Sequence, residues 1–235
     1  MRKLTFILVL LPSVSFGQTL FGVGVSASSL GAGIQGAVSV TGSSNIRAGF
    51  NIFDYSHNFS KDGINYGATL KLRSAQVTYD QFFRGHFASF HVSPGLLIYD
   101  GNSGSANANV PGGQSFTLGG TTYYSSSANP VNGAGSVTLN KVAPMILIGF
   151  GNLLPRGGKH FGISIEGGVV FQGSPSAKLA LAGSSCLNSQ QTACLNTATD
   201  PTVQSNIQAE QTKLNGDLNP FKYYPVISLT FSYKF

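Results

Sequence analysis

Residues 223–235 read YYPVISLTFSYKF. From Ile227 the apolar or aromatic side chains fall at every second position: Ile227, Leu229, Phe231, Tyr233 and Phe235. Ser228, Thr230, Ser232 and Lys234 stand between them. Successive side chains of a β-strand point to opposite faces, so this spacing gives one apolar face and one polar face.

Composition says what the apolar face meets. Charged residues make up 9% of the 235-residue chain, against roughly 25% in a typical soluble domain. A helical membrane protein needs runs of about 20 apolar residues, and none occurs past the N-terminus. The chain therefore disperses its apolar groups one residue in two, as a closed β-barrel in a membrane does. Basic residues are scattered, which is not the footprint of a nucleic-acid partner.

The N-terminus, MRKLTFILVLLPSVSFGQ, has Arg2 and Lys3, an apolar core from Leu4 to Leu11, then Ser15 and Gly17. That layout predicts a secretory signal peptide over residues 1–17 and a barrel over 18–235. Cys186 and Cys194 lie close together in SSCLNSQQTACLN, and in an exported chain such a pair predicts a local disulfide. Neither CxxC spacing nor a nearby histidine suggests a metal, and nothing implies a cofactor.

Eight alternating runs can be read along the chain: 20–28, 31–40, 46–59, 66–82, 87–100, 141–152, 161–173 and 223–235. In 66–82, Leu70 and Leu72 share one face, while Ala75, Val77 and Tyr79 stand in the opposite phase. A slip of one residue predicts a β-bulge near Ser74, with Leu70 and Leu72 facing lipid. Residues 101–138 and 174–222 read as long polar loops. The first holds a candidate hairpin near SFTLGGTTYY. The second holds a candidate helix that starts at the N-cap Asp200 and Pro201. Short turns lie on the periplasmic side of outer-membrane barrels and long loops outside, so both termini are expected to be periplasmic. Aromatic girdles are expected from Phe53, Tyr55, Tyr66, Tyr99 and Tyr224 outside. Phe82, Phe83, Phe87, Phe161, Tyr233 and Phe235 are expected to form the inner girdle.

The signal peptide, the alternating strands and Phe235 make the chain resemble the small outer-membrane β-barrels of Gram-negative bacteria, of OmpA/OmpX architecture. LKLRSA (70–75), VVFQGSP (169–175) and FKYYPVISLTFSYKF (221–235) are similar to stretches of exported barrel proteins. The resemblance implies an all-β, eight-stranded antiparallel transmembrane barrel with long extracellular loops, located in the outer membrane among its lipids. It also implies that Leu229, Phe231, Tyr233 and Phe235 are the signal read by the barrel-assembly machinery.

Alternation places Arg47, Lys71, Arg73, His91 and Glu166 on the inward face, with Gln35, Asn51 and Gln172. The interior of an eight-stranded barrel is only wide enough for side chains, so the expected result is a filled polar core. Three cations against one acid keep open a small-anion site or a narrow pore for small solutes. A rim hydrolase would have to use His57, near Asp54 and Ser56, although Ser56 and His57 point to opposite faces of one strand. The expected role is non-enzymatic, structural or surface-interacting. The polar outer loops suit either plain solvation or an extracellular ligand that the sequence does not name.

Overall fold

A computed structural model describes residues 20–61, 64–85, 88–99, 103–156 and 158–235. The proposed signal peptide lies outside these residues, as do Asp62, His86, Phe87 and Asp100. The barrel strands are β1 (Phe21–Ser28), β2 (Gly31–Thr41), β3 (Ser44–Lys61), β4 (Ile64–Phe82) and β5 (Phe90–Tyr99). After them come β6 (Ser103–Val110), β7 (Ser115–Leu118), β8 (Thr121–Ser125), β9 (Val131–Thr138), β10 (Val142–Gly151) and β11 (Phe161–Phe171). The chain ends with β12 (Ser176–Ala182), β13 (Ser184–Cys186), β14 (Cys194–Asn196), α1 (Pro201–Leu218) and β15 (Tyr223–Lys234).

The main antiparallel sheet has eleven strands, where the sequence predicts eight. Its pairings close on themselves: β1 leads through β2, β3, β4, β5, β10, β11 and β15 back to β1. The remaining strands branch from β4. Residues Ser74–Phe82 of β4 pair with β5, but Asn65–Lys71 pair with β6, which continues to β9 and β12. The long polar stretches are therefore folded into a head at the apical end of the ring. A second sheet, β14-β13-β8-β7, completes the head with α1. The β7–β8 hairpin turns on Gly119 and Gly120, both at positive φ, where a side chain would be strained.

The closed ring separates two environments. A row of apolar side chains runs around its outside through Phe50, Ile34, Val25, Phe231 and Ile163, each the register partner of the next. All are exposed, Ile34 at 66% and Ile163 at 61%. Inside stand Ser26, Gln35, Arg47, Gln76, Thr230 and other buried polar groups. Phe235 closes the basal end: its N–H donates to the Phe21 carbonyl, and its ring stacks on Phe21 with centroids 5.7 Å apart.

Two expectations are corrected in β4. Its register with β3 runs from Ser44↔Gln81 to Lys61↔Ile64 without a shift, so there is no bulge at Ser74. Parity then carries Leu70 and Leu72 onto the inner face, and Leu72 is buried. The apparent slip arises because the chain rises out of the lipid-facing ring into the head, where the outer face turns polar. Pro94 produces a smaller irregularity. It has no N–H to give, and the β4–β5 ladder skips between Thr78↔Gly95 and Gln81↔Val92.

Candidate functional site

The lumen is organised around Arg47 of β3, which is 2% exposed. A guanidinium carries five N–H donors, and all five are used. Nε donates to Thr78 Oγ1 at 3.2 Å. Nη1 donates to Gln35 Oε1 at 3.1 Å and Glu166 Oε2 at 2.6 Å. Nη2 donates to Asp80 Oδ1 at 3.0 Å and Glu166 Oε1 at 2.5 Å. His91 Nε2 lies 3.0 Å from Glu166 Oε1, and the Thr78 hydroxyl donates to Asp80 at 3.0 Å.

The backbone makes room for this cluster at Gly149. Gly149 of β10 is the register partner of both Glu166 and His91. A Cβ there would stand 2.7 Å from Glu166 Cγ and from the His91 ring. Glycine leaves the space in which the His91–Glu166 pair meets.

Of the five residues expected inside, the structure gathers Arg47, His91 and Glu166. Lys71 and Arg73 are corrected to the outer face: without a bulge, their parity is that of Val77. Both are exposed, and Arg73 lies 3.8 Å from Asp54. The residue that sequence reasoning missed is Asp80. Its signal was parity, since it alternates with Tyr79 in VTYDQF. The predicted excess of cations becomes one arginine between two carboxylates, and the anion site loses its basis.

Apolar layers stand on either side of the cluster. Leu30, Leu97, Tyr99, Met145, Leu147 and Val226 pack across the apical lumen. Tyr99 donates to Gln172 at 2.7 Å, and Gln172 donates to the Phe221 carbonyl at 2.7 Å. At the base, the segment between β10 and β11 folds inward, burying Leu153 and Leu154 against Ala37. The Asn152 amide oxygen accepts from Asn45 and from the Leu154 N–H, and buried Lys234 donates to the Pro155 carbonyl at 2.6 Å. Between these layers Ser26, Ser93, Ser228, Thr230 and Ser232 are buried hydroxyls without a protein partner. Polar groups this deep are satisfied by water when protein does not reach them.

The girdle assignments change with the fold. Phe82 is 3% exposed and lies inside, with the Arg156 guanidinium 5.0 Å from its ring centroid. Tyr99 is lumenal, and Tyr224 gives its hydroxyl proton to the Ser29 carbonyl at 2.6 Å. Phe53, Tyr55 and Tyr66 stand on the inner face of the head, in a stack Phe53–Tyr55–His57–Phe59–Tyr66 with neighbouring rings 5.1 to 6.4 Å apart. His57 is thereby held between Tyr55 and Phe59. Ser56 faces the other way, 3.2 Å from Thr69, and Asp54 is beside Arg73. The three do not converge as a triad. Among the described residues no group of three His, Cys, Asp or Glu side chains could hold a metal.

Helix α1 is capped by Asp200, which accepts from the Thr202 and Val203 N–H groups. Val203 and Ile207 pack with Leu118, Tyr123, Leu179 and Leu181 of the head. Gln211 and Asn215 accept from the Leu179 and Ala177 N–H groups at 3.1 and 2.7 Å. Those donors belong to β12, the last strand of the sheet, so the helix covers an edge that would otherwise be open to pairing. Cys186 and Cys194 are register partners of β13 and β14 and are joined by a disulfide. An apolar cleft of about 540 Å³ remains between the sheet and the helix, walled by Tyr55, Tyr66, Leu70, Leu214 and Leu218.

No family model matches the chain, and no curated protein matches it. Solved structures do match, two of them from Acinetobacter baumannii. Acinetobacter baumannii CarO is 20% identical, with 90% of this chain and 96% of that chain covered and a TM-score of 0.57. Acinetobacter baumannii CarO2 is 19% identical, with 93% and 100% covered and a TM-score of 0.58. At this identity the likeness establishes one thing: this chain shares the fold of those proteins over nearly its whole length.

Proposed function

We propose that the chain is an outer-membrane β-barrel. Its eight-strand ring spans the bilayer, its lumen is sealed, and it works through its head in a structural or surface-interaction role. The exposed apolar row around the ring supports the membrane reading, because soluble proteins rarely leave such a surface open. The height of the ring fits as well: β3 residues 44–52 pair with ring strands on both sides, and a spanning strand needs about 9–11 residues. The observation that carries the sealed lumen is Arg47. All five of its donors are held by protein groups, between two apolar layers.

The head is then extracellular and both strand termini periplasmic. In this reading Leu229, Phe231, Tyr233 and Phe235 serve as the insertion signal as well as the closing strand. The test is fractionation of cells combined with protease added to intact cells. Co-migration with outer-membrane markers, with cleavage confined to the head, is the expected result. Recovery in the soluble or inner-membrane fraction would overturn the reading.

A narrow pore is the second reading, favoured by the unpartnered hydroxyls of Ser26, Ser93, Ser228, Thr230 and Ser232. These would line a hydrated path if the apolar layers opened. Among the described residues, no nucleophile, base and acid converge to support a rim hydrolase.

A further inference from the structure

The outer face of the head sheet continues the lipid-facing side of the ring. The β3–β4 register has no shift, so the side that carries Phe50, Ile52 and Val77 in the ring also carries Asp54, Lys71 and Arg73 above it. Higher still, that face changes character. Each of its five strands adds outward residues to a shallow concavity of about 810 Å³. Asn58, Asn65, Asn107, Asn109 and Asn132 wall it, over a floor that includes Gly67, Ala134 and Ala180. Asn65, Asn109 and Asn132 are neighbours in one cross-strand row, and Asn109 donates to Asn132 at 2.7 Å.

Rising along β4, the order is apolar belt, then cations, then amides. Lys71 and Arg73 come just above the belt, and Asn65 lies about 20 Å beyond Lys71 at ~3.4 Å per residue. Lys178 adds a cation from β12. Against these three cations the same face carries Asp54, which pairs with Arg73.

We propose that this face binds a phosphorylated glycolipid of the surrounding outer leaflet, a deepening that rests on the outer-membrane reading above. The acyl chains lie on the apolar belt. The phosphates next to them meet Lys71, Arg73 and Lys178 through charge-assisted hydrogen bonds. The attached sugars reach the asparagine concavity, where amides offer both donors and acceptors to hydroxyls. The match is one of sequence along an axis: three chemistries on the protein follow the same order as three chemistries on the lipid. Hydroxyl-rich or amide-rich surfaces of ordinary loops have no such order.

The test uses the full chain refolded in detergent and titrated with purified lipopolysaccharide. Parallel titrations use the same lipid stripped of phosphate, its free oligosaccharide, and phosphatidylglycerol. Intact glycolipid is expected to bind tightest. Each of Lys71→Gln and Lys178→Gln should weaken it by about fivefold, the equivalent of roughly 1 kcal/mol per surface cation. Asn109→Ala with Asn132→Ala should weaken the intact glycolipid but leave phosphatidylglycerol unchanged. Heat-modifiable mobility identical to wild type shows that the variants are folded, and Lys71→Arg should retain binding. Equal affinity for phosphatidylglycerol, equal affinity for the free oligosaccharide, or indifference to these substitutions would overturn the proposal. A chain found in the outer membrane with any of those outcomes refutes this inference alone. A chain found elsewhere refutes the reading beneath it.

Discussion

Arg47 of β3 donates two hydrogen bonds to Glu166 of β11, a residue 119 positions away in the chain. The pair reaches across the lumen and ties together two strands that share no ladder. Removing one partner of a buried pair leaves the other charge uncompensated, at a cost of about 3–5 kcal/mol. Arg47→Met strands both Glu166 and Asp80. It should lower the urea midpoint of the refolded barrel by an amount corresponding to that loss. The double variant Arg47→Met, Glu166→Met should recover part of it. A single variant as stable as wild type would show that the cluster does not hold the barrel together.

Glycines in this chain divide into two kinds, and substitution separates them. A Cβ at Gly149 would collide with Glu166 and His91 at 2.7 Å, while one at Gly135 would meet nothing nearer than 3.8 Å. Gly149→Ala should destabilise by about 1–3 kcal/mol, the usual cost of overpacking. Gly135→Ala should lie within about 0.5 kcal/mol of wild type, as quiet surface changes do. Equilibrium unfolding of the two variants side by side checks the contrast, and equal effects would refute it.

The Cys186–Cys194 disulfide belongs to the head, eight residues apart in sequence. Reduction should loosen the β13–β14 hairpin by about 2–3 kcal/mol, as expected for a short closed loop. Protease cleavage between Leu187 and Ala193 should then speed up. The barrel should keep its heat-modifiable mobility, because the disulfide touches no ring strand. Loss of that mobility on reduction would mean that head and ring fold as one unit.

Gln211 and Asn215 cover the N–H groups of Leu179 and Ala177 on β12. The double change Gln211→Ala, Asn215→Ala should uncover this edge and promote association between heads. Light scattering or crosslinking of the refolded protein would show the oligomers, and a strictly monomeric variant would argue against edge protection.

The ring was legible in the sequence wherever lipid and lumen alternate. Phe231 and Thr230 in β15, or Ile165 and Glu166 in β11, announce their faces by residue type alone. Legibility failed where the environment changes along one strand. In β4 the outer face is Val77 in the ring but Lys71 in the head, and reading both as one environment produced a bulge that does not exist. The same error turned Lys71 and Arg73 inward. Asp80, which completes the lumen cluster, was already legible by its parity with Tyr79. The head strand SGSANANV of β6 carries little apolar signal, because its inner face is Gly104, Ala106 and Ala108 before it reaches Val110. Its identity as a strand comes from pairing with β4, which a single sequence does not display. The basal closure by Leu153 and Leu154 was hidden for a related reason: two adjacent leucines beside a Pro-Arg-Gly-Gly turn look like turn residues until the lumen beneath them is known.

The sealed lumen is the central claim, and planar-bilayer conductance of the refolded full chain tests it most directly. Steady recordings should stay at the lipid baseline across physiological salt and voltage. Removal of the apical layer alone, by Leu97→Ser and Leu147→Ser, should leave the baseline unchanged, because the Arg47 cluster and the basal Leu153 and Leu154 layer still close the lumen. Stepwise channel currents from the wild-type protein would contradict the account and establish the pore in its place.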